Sequence, residues 1–167
     1  MIPLPVTIRA ARADDEPGIV ALVRSERLNP FDIDWRRFVL ATDRGGIVGA
    51  VQLREYEDGS RELGSLVVRR HARRHGIGAR LIDALLARRD THVFMITGVV
   101  FARHYERWGF RHIAPVQAPW PILRNYWLGR LAGLQALLAG RDPNRLAVLQ
   151  RQGVLAPWRS QGPWPAV

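Results

Sequence analysis

The sequence predicts a single mixed α/β domain, and three observations support this fold class. The chain has 167 residues, of which 47% are hydrophobic and 24% are charged, and this composition is sufficient for one folded core. Short apolar runs of strand length alternate with stretches of helical spacing. Neither an internal repeat nor a linker divides the chain. We therefore expect one domain over residues 1–167.

The order of the elements follows from these patterns and from the turn signals between them. Apolar runs predict strands over residues 6–8, 38–41, 47–53, 61–68, 92–97, 110–113 and 146–149. Helical spacing predicts helices over residues 14–28, 31–37, 77–88, 101–108 and 120–139. Two tetrapeptides, Asp43-Arg44-Gly45-Gly46 and Glu57-Asp58-Gly59-Ser60, are typical of hairpin turns. On the last helix an apolar stripe is expected to pack on the core, namely Leu123, Tyr126, Trp127, Leu131, Leu134, Leu137 and Leu138.

Composition excludes several classes of site. The chain has no cysteine, which excludes disulfides, thiolate metal sites and an acyl-cysteine intermediate. No metal-binding spacing such as His-Glu-x-x-His occurs, and we expect no metal. The chain lacks a run of about eighteen uncharged apolar residues, and its first residues lack the basic and apolar segments of a secretion signal. These patterns predict a cytoplasmic protein without a membrane span.

The net charge of +10 is unevenly distributed along the chain. All 25 basic residues are arginine, and residues 61–113 contain 11 of them against 4 acidic residues. Guanidinium groups suit bidentate contacts with phosphate and carboxylate groups. The crowding of arginine at residues 69–80 therefore predicts an anionic partner at this point of the fold.

The most informative segment is residues 62–81, in which an apolar strand leads into a basic, glycine-bearing loop that opens a helix. Helix N-termini carry unpaired N–H groups and partial positive charge, and Gly76 and Gly78 allow a phosphate to approach the backbone closely. The Walker pattern does not fit, because Gly78 is followed by Ala79-Arg80 and not by Lys and Ser or Thr. The dinucleotide-binding pattern does not fit either, because Leu81 stands where Gly or Ala is required. A polyphosphate ligand of another kind is predicted. A tight turn with solvated arginines is the structural alternative.

Two motifs resemble those of the GCN5-related N-acetyltransferases, the GNAT superfamily. Arg73-Arg74-His75-Gly76-Ile77-Gly78 resembles the family's pyrophosphate loop, Arg/Gln-x-x-Gly-x-Gly/Ala, although many members have a further glycine where Arg74 stands. Tyr105 and Gly109-Phe110 resemble the second signature, Tyr-x-x-x-Gly-Phe. The resemblance covers about residues 6–114 and leaves 115–167 as a C-terminal extension packed on the domain. It implies a central mixed, mostly antiparallel sheet flanked by helices, with an extra C-terminal helix.

The resemblance also implies an N-acetyltransferase that moves an acetyl group from acetyl-CoA to a primary amine, with CoA as the product and no metal. Tyr105 stands at the family's general-acid position, where its phenol can protonate the leaving thiolate. Glu62 stands where many members carry a general base. Because cysteine is absent, direct attack in a ternary complex is expected. The implied cofactor contacts are Leu66, Val67, Val68, Arg73, Arg74, His75, Gly76, Ile77, Gly78 and Ala79. Gly98 replaces an asparagine that is common in the family.

Other roles are open to these residues on the sequence alone. Tyr105 could be an ordinary core tyrosine, and Glu62 could be a solvated acid at a strand end, paired with Arg61 or another arginine. The histidines are further candidate bases: His71, His75, His92, His104 and His112. The domain could also bind acyl-CoA without catalysis, or use its charge to bind nucleic acid.

The expected partner is a small-molecule or peptide amine. We expect no specific nucleic acid, because aromatic residues are not interleaved with the arginine cluster. We also expect no membrane contact. The apolar last helix would suit a homodimer contact.

Overall fold

The computed structural model describes residues 5–26, 28, 32–87, 92–138 and 145–153, and it confirms the predicted mixed α/β fold. The strands are β1 Thr7–Ala10, β2 Phe38–Asp43, β3 Gly46–Glu55, β4 Arg61–Val68, β5 Val93–Gly98, β6 Phe110–Ile113 and β7 Leu146–Arg151. The helices are α1 Glu16–Ser25, α2 Ile77–Leu85, α3 Val99–Ala102 and α4 Trp120–Leu138.

The strands form one sheet in the order β1-β2-β3-β4-β5-β7-β6. The pairs β1–β2, β2–β3, β5–β7 and β6–β7 are antiparallel, whereas β4 and β5 are parallel. The sheet is therefore mixed and mostly antiparallel, as the family resemblance implies. In the part of the chain that is described, no helix has both the length and the apolar character needed to cross a membrane.

The chain divides into two compact units. Among the described residues, the first unit contains those up to 54 and those from 64 to 87, and the second contains 55–63 and 92–153. The glycine loop before α2 lies in the first unit. Glu62 and Tyr105 lie in the second unit.

The core of the first unit is built around α1. Ile19, Leu22 and Val23 are fully buried, and their spacing of three and four residues places them on one face of the helix. They belong to one apolar cluster with Phe38 and other residues of β2 and β3. Trp35 packs against this cluster and so contributes to the core.

An ion pair holds the start of α1. Arg9 Nη1 and Nη2 donate to the two carboxylate oxygens of Asp15 at 2.7 and 2.8 Å, and the Arg12 backbone N–H donates to Asp15 Oδ2 at 2.7 Å. These bonds, led by the Arg9 side chain, hold the pKa of Asp15 below its ordinary value of 3.8. Because the pKa is depressed in the folded state, this stabilisation is complete at neutral pH and is lost as the pH falls through the folded-state pKa.

We expect Asp15→Asn to lower the free energy of unfolding at neutral pH by about 1 kcal/mol. The difference between the variant and the wild type should shrink as the pH falls through the depressed folded-state pKa of Asp15, and it should disappear once this carboxyl group is protonated in both states. Denaturant unfolding of both proteins across this range measures the effect. A difference that stays constant down to that pH would contradict the assignment.

The core of the second unit joins β5 and β7 to α4. Phe94, Val148, Ala118 and Ile122 form one buried cluster, and Ile122 on α4 is fully buried. The long helix is therefore packed on the sheet by the face that carries Ile122.

The predicted apolar stripe on α4 is wrong in part. Trp127 and Leu131 are 54% and 59% exposed, whereas Ile122, which the stripe did not include, is buried. Apolar residues occupy nearly every side of this helix, so their spacing does not single out one face. The structure describes the helix at Leu134, Leu137 and Leu138 but not their side chains.

Two predicted helices also differ from the structure. Residues 101–108 form the end of α3 followed by a 3-10 helix at Arg103–Trp108. The second predicted helix, 31–37, is reduced to a 3-10 turn at Trp35–Arg37, with residue 31 outside the described residues. Both segments are short, and helices of a few residues depend on their surroundings more than on their own sequence.

Candidate active site

The glycine loop between β4 and α2 has a backbone suited to binding an anion. Arg74 and Gly76 adopt left-handed conformations, with φ of 67° and 72°, a region that glycine occupies without steric cost. Gly76 is the N-cap residue directly before α2, and no side chain caps the helix there. The first N–H groups of α2 therefore lack a side-chain cap, as at the anion-binding starts of other helices.

No side chain crowds the backbone at this helix start. A Cβ built on Gly76 would meet no heavy atom within 4 Å, and one built on Gly78 would meet Val68 Cγ2 at 4.0 Å. The backbone of residues 76–78 is thus open to a close approach, and alternating right- and left-handed residues form concavities that bind anions. These residues fit the pyrophosphate that the sequence predicts here.

The arginines around the loop help to hold it in place. Arg69, Arg73 and Arg80 donate hydrogen bonds to backbone carbonyls at distances between 2.7 and 2.9 Å. Arg73 also pairs with Glu26 at 2.5 Å, whereas Arg74 is exposed. The concentration of arginine in this segment therefore fixes the loop to its neighbours as well as contributing positive charge.

β4 carries the residues predicted to pair with the pantetheine arm. Val67 is buried, and Leu66 and Val68 are half-buried. Ser65, in the same strand, has a φ of 50°, which is uncommon for a residue other than glycine. The parallel register of β4 with β5 covers residues 62 and 63. The predicted cofactor contacts, residues 66–68, therefore follow both the two residues of β4 that pair with β5 and the irregular Ser65.

Glu62 is buried, with 5% of its surface exposed, and belongs to a hydrogen-bonded cluster. Tyr56 Oη donates to Glu62 Oε2 at 2.5 Å, and Asn125 Nδ2 donates to the same oxygen at 2.9 Å. Asn125 Nδ2 also donates to Tyr56 Oη at 2.8 Å. Glu62 is therefore buried rather than solvated, and Arg61, which the sequence offered as its possible partner, pairs with Glu55 at 2.9 Å. We call Tyr56, Glu62 and Asn125 the carboxylate cluster.

The sequence predictions missed Tyr56 and Asn125. Tyr56 stands directly before the hairpin turn at residues 57–60, where the pattern indicates a turn and nothing more. Asn125 is the single amide in the first half of an apolar helix, three residues after the buried Ile122. A lone amide so close to a buried position requires a polar partner, and this is the signal that could have identified it.

Tyr105 is half-buried and is surrounded by aromatic rings. Its ring centroid lies 5.7 Å from that of His104, 6.1 Å from that of Trp108 and 6.3 Å from that of Phe110. Burial raises the pKa of Tyr105 above its ordinary value of 10.0, and a hydrogen bond with the Thr97 side chain opposes part of this rise. Tyr105 therefore keeps its hydroxyl proton at neutral pH, which is the state that a general acid needs.

Glu62 and Thr97 project from different faces of the sheet in the second unit. Glu62 is the register partner of Phe94 on β5, so these two side chains share a face. Thr97 lies three residues further along β5, and side chains alternate between faces along a strand. The carboxylate of Glu62 and the side chain that bonds to Tyr105 therefore lie on opposite faces.

The histidines that the sequence offered as alternative bases have other surroundings. His75 Nδ1 donates to the Arg73 carbonyl at 2.8 Å, inside the glycine loop. His92 Nε2 lies 2.7 Å from Gln150 Nε2, and burial lowers the pKa of His92 below 6.5. His71, His104 and His112 are exposed. Within the described ranges, no group of three or more His, Cys, Asp or Glu side chains is placed to hold a metal ion.

Comparison with protein families matches residues 34–112 to the acetyltransferase (GNAT) domain. The match begins just before β2 and ends in β6, so it includes the glycine loop, Glu62 and Tyr105. A comparison with curated proteins found no match.

Solved structures share the fold at low sequence identity. N-acetylglutamate synthase from Neisseria gonorrhoeae, complexed with coenzyme A and L-arginine, is 20% identical with a TM-score of 0.65; the alignment covers 88% of this chain and 33% of that one. This chain thus spans about a third of that synthase. Rv2747 from Mycobacterium tuberculosis, in complex with CoA, is 22% identical with a TM-score of 0.64, covering 87% and 98% of the two chains. Ard1 from Thermoplasma volcanium is 18% identical with a TM-score of 0.59, covering 92% and 100%.

The family match and the fold agree with the two sequence motifs. The matched region carries the uncapped glycine loop at the start of α2 and the tyrosine that follows β5. Residues 34–112 therefore match the acetyltransferase (GNAT) domain, and the solved structures share the fold of this chain.

Proposed function

We propose that this protein transfers an acetyl group from acetyl-CoA to a primary amine by direct attack in a ternary complex. The observation that carries the proposal is the start of α2, where left-handed Gly76 leaves the helix uncapped and open space lies where a side chain would be. Together with the family match, this supports acetyl-CoA as the donor and CoA as the product. The sequence has no cysteine, which favours direct transfer over an acyl-cysteine intermediate.

The proposed cofactor contacts are those predicted from the sequence. The backbone of residues 73–79 would hold the pyrophosphate, and the backbone of residues 66–68 would hold the pantetheine arm. Acetyl-CoA supplies the activated acetyl group as a thioester. The loop contributes unpaired N–H groups, which bind phosphate without needing a cationic side chain at the point of contact.

Glu62 and Tyr105 are the proposed base and acid. Glu62 would accept the proton of the attacking amine, directly or through a water molecule, and Tyr105 would give its proton to the departing sulfur.

The acceptor is proposed to be a small-molecule or peptide amine. One of the similar structures is N-acetylglutamate synthase from Neisseria gonorrhoeae complexed with coenzyme A and N-acetyl-glutamate, so the α-amine of glutamate is one candidate. This chain covers 34% of that protein at 21% identity. The candidates therefore also include other small-molecule amines, peptide N-termini and protein lysines.

We expect release of CoA thiol from acetyl-CoA with at least one class in a panel of these amines. Thermal unfolding with and without CoA should show stabilisation, because a ligand that binds only the folded state raises its stability. Stabilisation by CoA without turnover across the panel would support the non-catalytic alternative. Retention on heparin without stabilisation by CoA would support nucleic-acid binding instead.

A further inference from the structure

We propose that Tyr56 and Asn125 are positioning residues for Glu62, and that α4 thereby contributes to the active site. This inference rests on the proposed role of Glu62 as the general base. The match to the GNAT domain ends at residue 112, whereas Asn125 lies on α4. The site would therefore be incomplete without a helix that lies outside the matched region.

The carboxylate cluster forms a triangle of hydrogen bonds. The amide nitrogen of Asn125 carries two N–H groups, and it donates to Glu62 Oε2 at 2.9 Å and to Tyr56 Oη at 2.8 Å. Tyr56 accepts this bond and donates its own proton to Glu62 Oε2 at 2.5 Å. Every N–H and O–H of the triangle thus has an acceptor. Glu62 is buried, whereas Tyr56 and Asn125 are half-buried, and a polar network whose groups are satisfied favours one arrangement of its side chains.

This arrangement sets the orientation of the carboxylate. Tyr56 belongs to the connection between β3 and β4, and Asn125 belongs to α4, so the two donors reach Oε2 from different elements. Two bonds to one oxygen restrict rotation of the carboxylate about its Cγ–Cδ bond. A base acts only when its oxygen is within hydrogen-bond reach of the proton that it accepts. Fixing that rotation therefore favours the productive geometry.

The packing of α4 places Asn125 at this point. Ile122 lies three residues earlier, so it shares a helix face with Asn125, and it packs against Phe94 in the buried cluster. Phe94 is also the register partner of Glu62. Ile122 of α4 thus belongs to a buried cluster with Phe94 of β5, and Asn125 of α4 bonds to Glu62 of β4. The apolar and the polar contacts of the helix are therefore made with two neighbouring strands.

Two conservative substitutions test the role of the donors. Tyr56→Phe removes the hydroxyl and keeps the ring, and Asn125→Leu removes the amide and keeps a similar size. We expect each to lower kcat by about 10-fold, because misplacing a reacting group within an intact site is costly. The KM and Kd for acetyl-CoA should not change. Tyr126→Phe is the matched control, because Tyr126, like Tyr56, packs against the buried apolar cluster that contains Phe94 and Ile122. This substitution should leave kcat unchanged.

The decisive measurement repeats both substitutions in a Glu62→Gln background. If Tyr56 and Asn125 act through Glu62, its replacement removes their effect, so Tyr56→Phe should cause no further loss there. Glu62→Asp, which withdraws the carboxylate from both donors, provides a second background with more residual activity. Turnover is followed as CoA thiol release, with the most active amine of the panel and, in parallel, with water as the acceptor.

The outcomes separate this inference from the proposed function. Unchanged kcat in Tyr56→Phe and Asn125→Leu would overturn the positioning role while leaving Glu62 as the base. Equal losses with and without Glu62 would also overturn it, because a purely structural role does not depend on the carboxylate. Full turnover in Glu62→Gln would remove Glu62 from the mechanism, and the positioning role would fall with it.

Discussion

Gly76→Glu is expected to reduce the affinity for CoA by about 100-fold or more, because like charges brought together in a binding site cost several kcal/mol. The new carboxylate would stand at the uncapped start of α2, where the pyrophosphate is proposed to bind. A Cβ at this position meets no heavy atom within 4 Å, so the substitution causes no steric clash at Cβ. The loss of affinity would therefore arise from occupying the phosphate site and from charge repulsion. Isothermal titration with CoA measures it, and an affinity equal to that of the wild type would contradict the placement.

Gly76→Ala is the matched control for this prediction. Both substitutions put a side chain at a φ of 72°, and the left-handed region costs a residue other than glycine about 1–2 kcal/mol. Both variants should therefore lose a similar free energy of unfolding. Only the glutamate adds a negative charge, so Gly76→Ala should retain most of the affinity for CoA. Equal loss of affinity in the two variants would show that the backbone geometry, and not the phosphate site, is responsible.

The parts of the fold that local chemistry determines could be predicted from the sequence. Both hairpin turns are present, with Gly46 and Gly59 at φ of 111° and 79°, because each turn requires a left-handed residue and glycine provides it. In the first turn the Asp43 carboxylate accepts a bond from the Gly45 N–H at 2.7 Å. Such contacts span two residues, so the sequence pattern alone is sufficient to indicate them.

The buried face of α4 and the contacts of the arginines could not be predicted in the same way. α4 is apolar on most sides, and what selects Ile122 for burial is the surface that the helix meets, which local spacing does not encode. Arg80 donates to the carbonyl of Val6, which is 74 residues away in the chain. An arginine count indicates positive charge, but it does not tell which guanidinium groups are already engaged by protein oxygens.

In the candidate site, too, the features set by local sequence could be predicted and those set by tertiary contacts could not. The loop around Gly76 and the segment around Tyr105 are continuous in sequence, so motif spacing identified both. The carboxylate cluster is not continuous, because Asn125 is 69 residues from Tyr56 and 63 residues from Glu62. Sequence position marked Glu62 as a possible base but left a solvated acid equally open. Only the tertiary contacts decide that it is buried and held by two donors.

Tyr105→Phe is expected to lower kcat by about 10²–10⁴-fold, the usual contribution of a positioned general acid. The substitution keeps the ring, and with it the packing on Trp108 and Phe110, while it removes the hydroxyl proton. Affinity for acetyl-CoA should change little, because the proton is needed when charge develops on the sulfur and not when the donor binds. Since burial raises the pKa of Tyr105 above 10.0, the acid stays protonated through neutral and mildly basic pH. Turnover should therefore not fall in that range through loss of this proton.

Thr97→Val provides the matched control, because valine has nearly the shape of threonine and lacks the hydroxyl that bonds to Tyr105. It leaves the acid in place but removes the bond that orients it, so a smaller loss of about 10-fold is expected. The core-tyrosine alternative predicts the opposite pattern for Tyr105→Phe: a reduced free energy of unfolding with kcat unchanged. Measuring both quantities, under conditions where the chemical step limits the rate, separates the two roles. A kcat equal to that of the wild type under those conditions would remove Tyr105 from the mechanism, and the protonation of the leaving thiolate would then have to come from another group or from water.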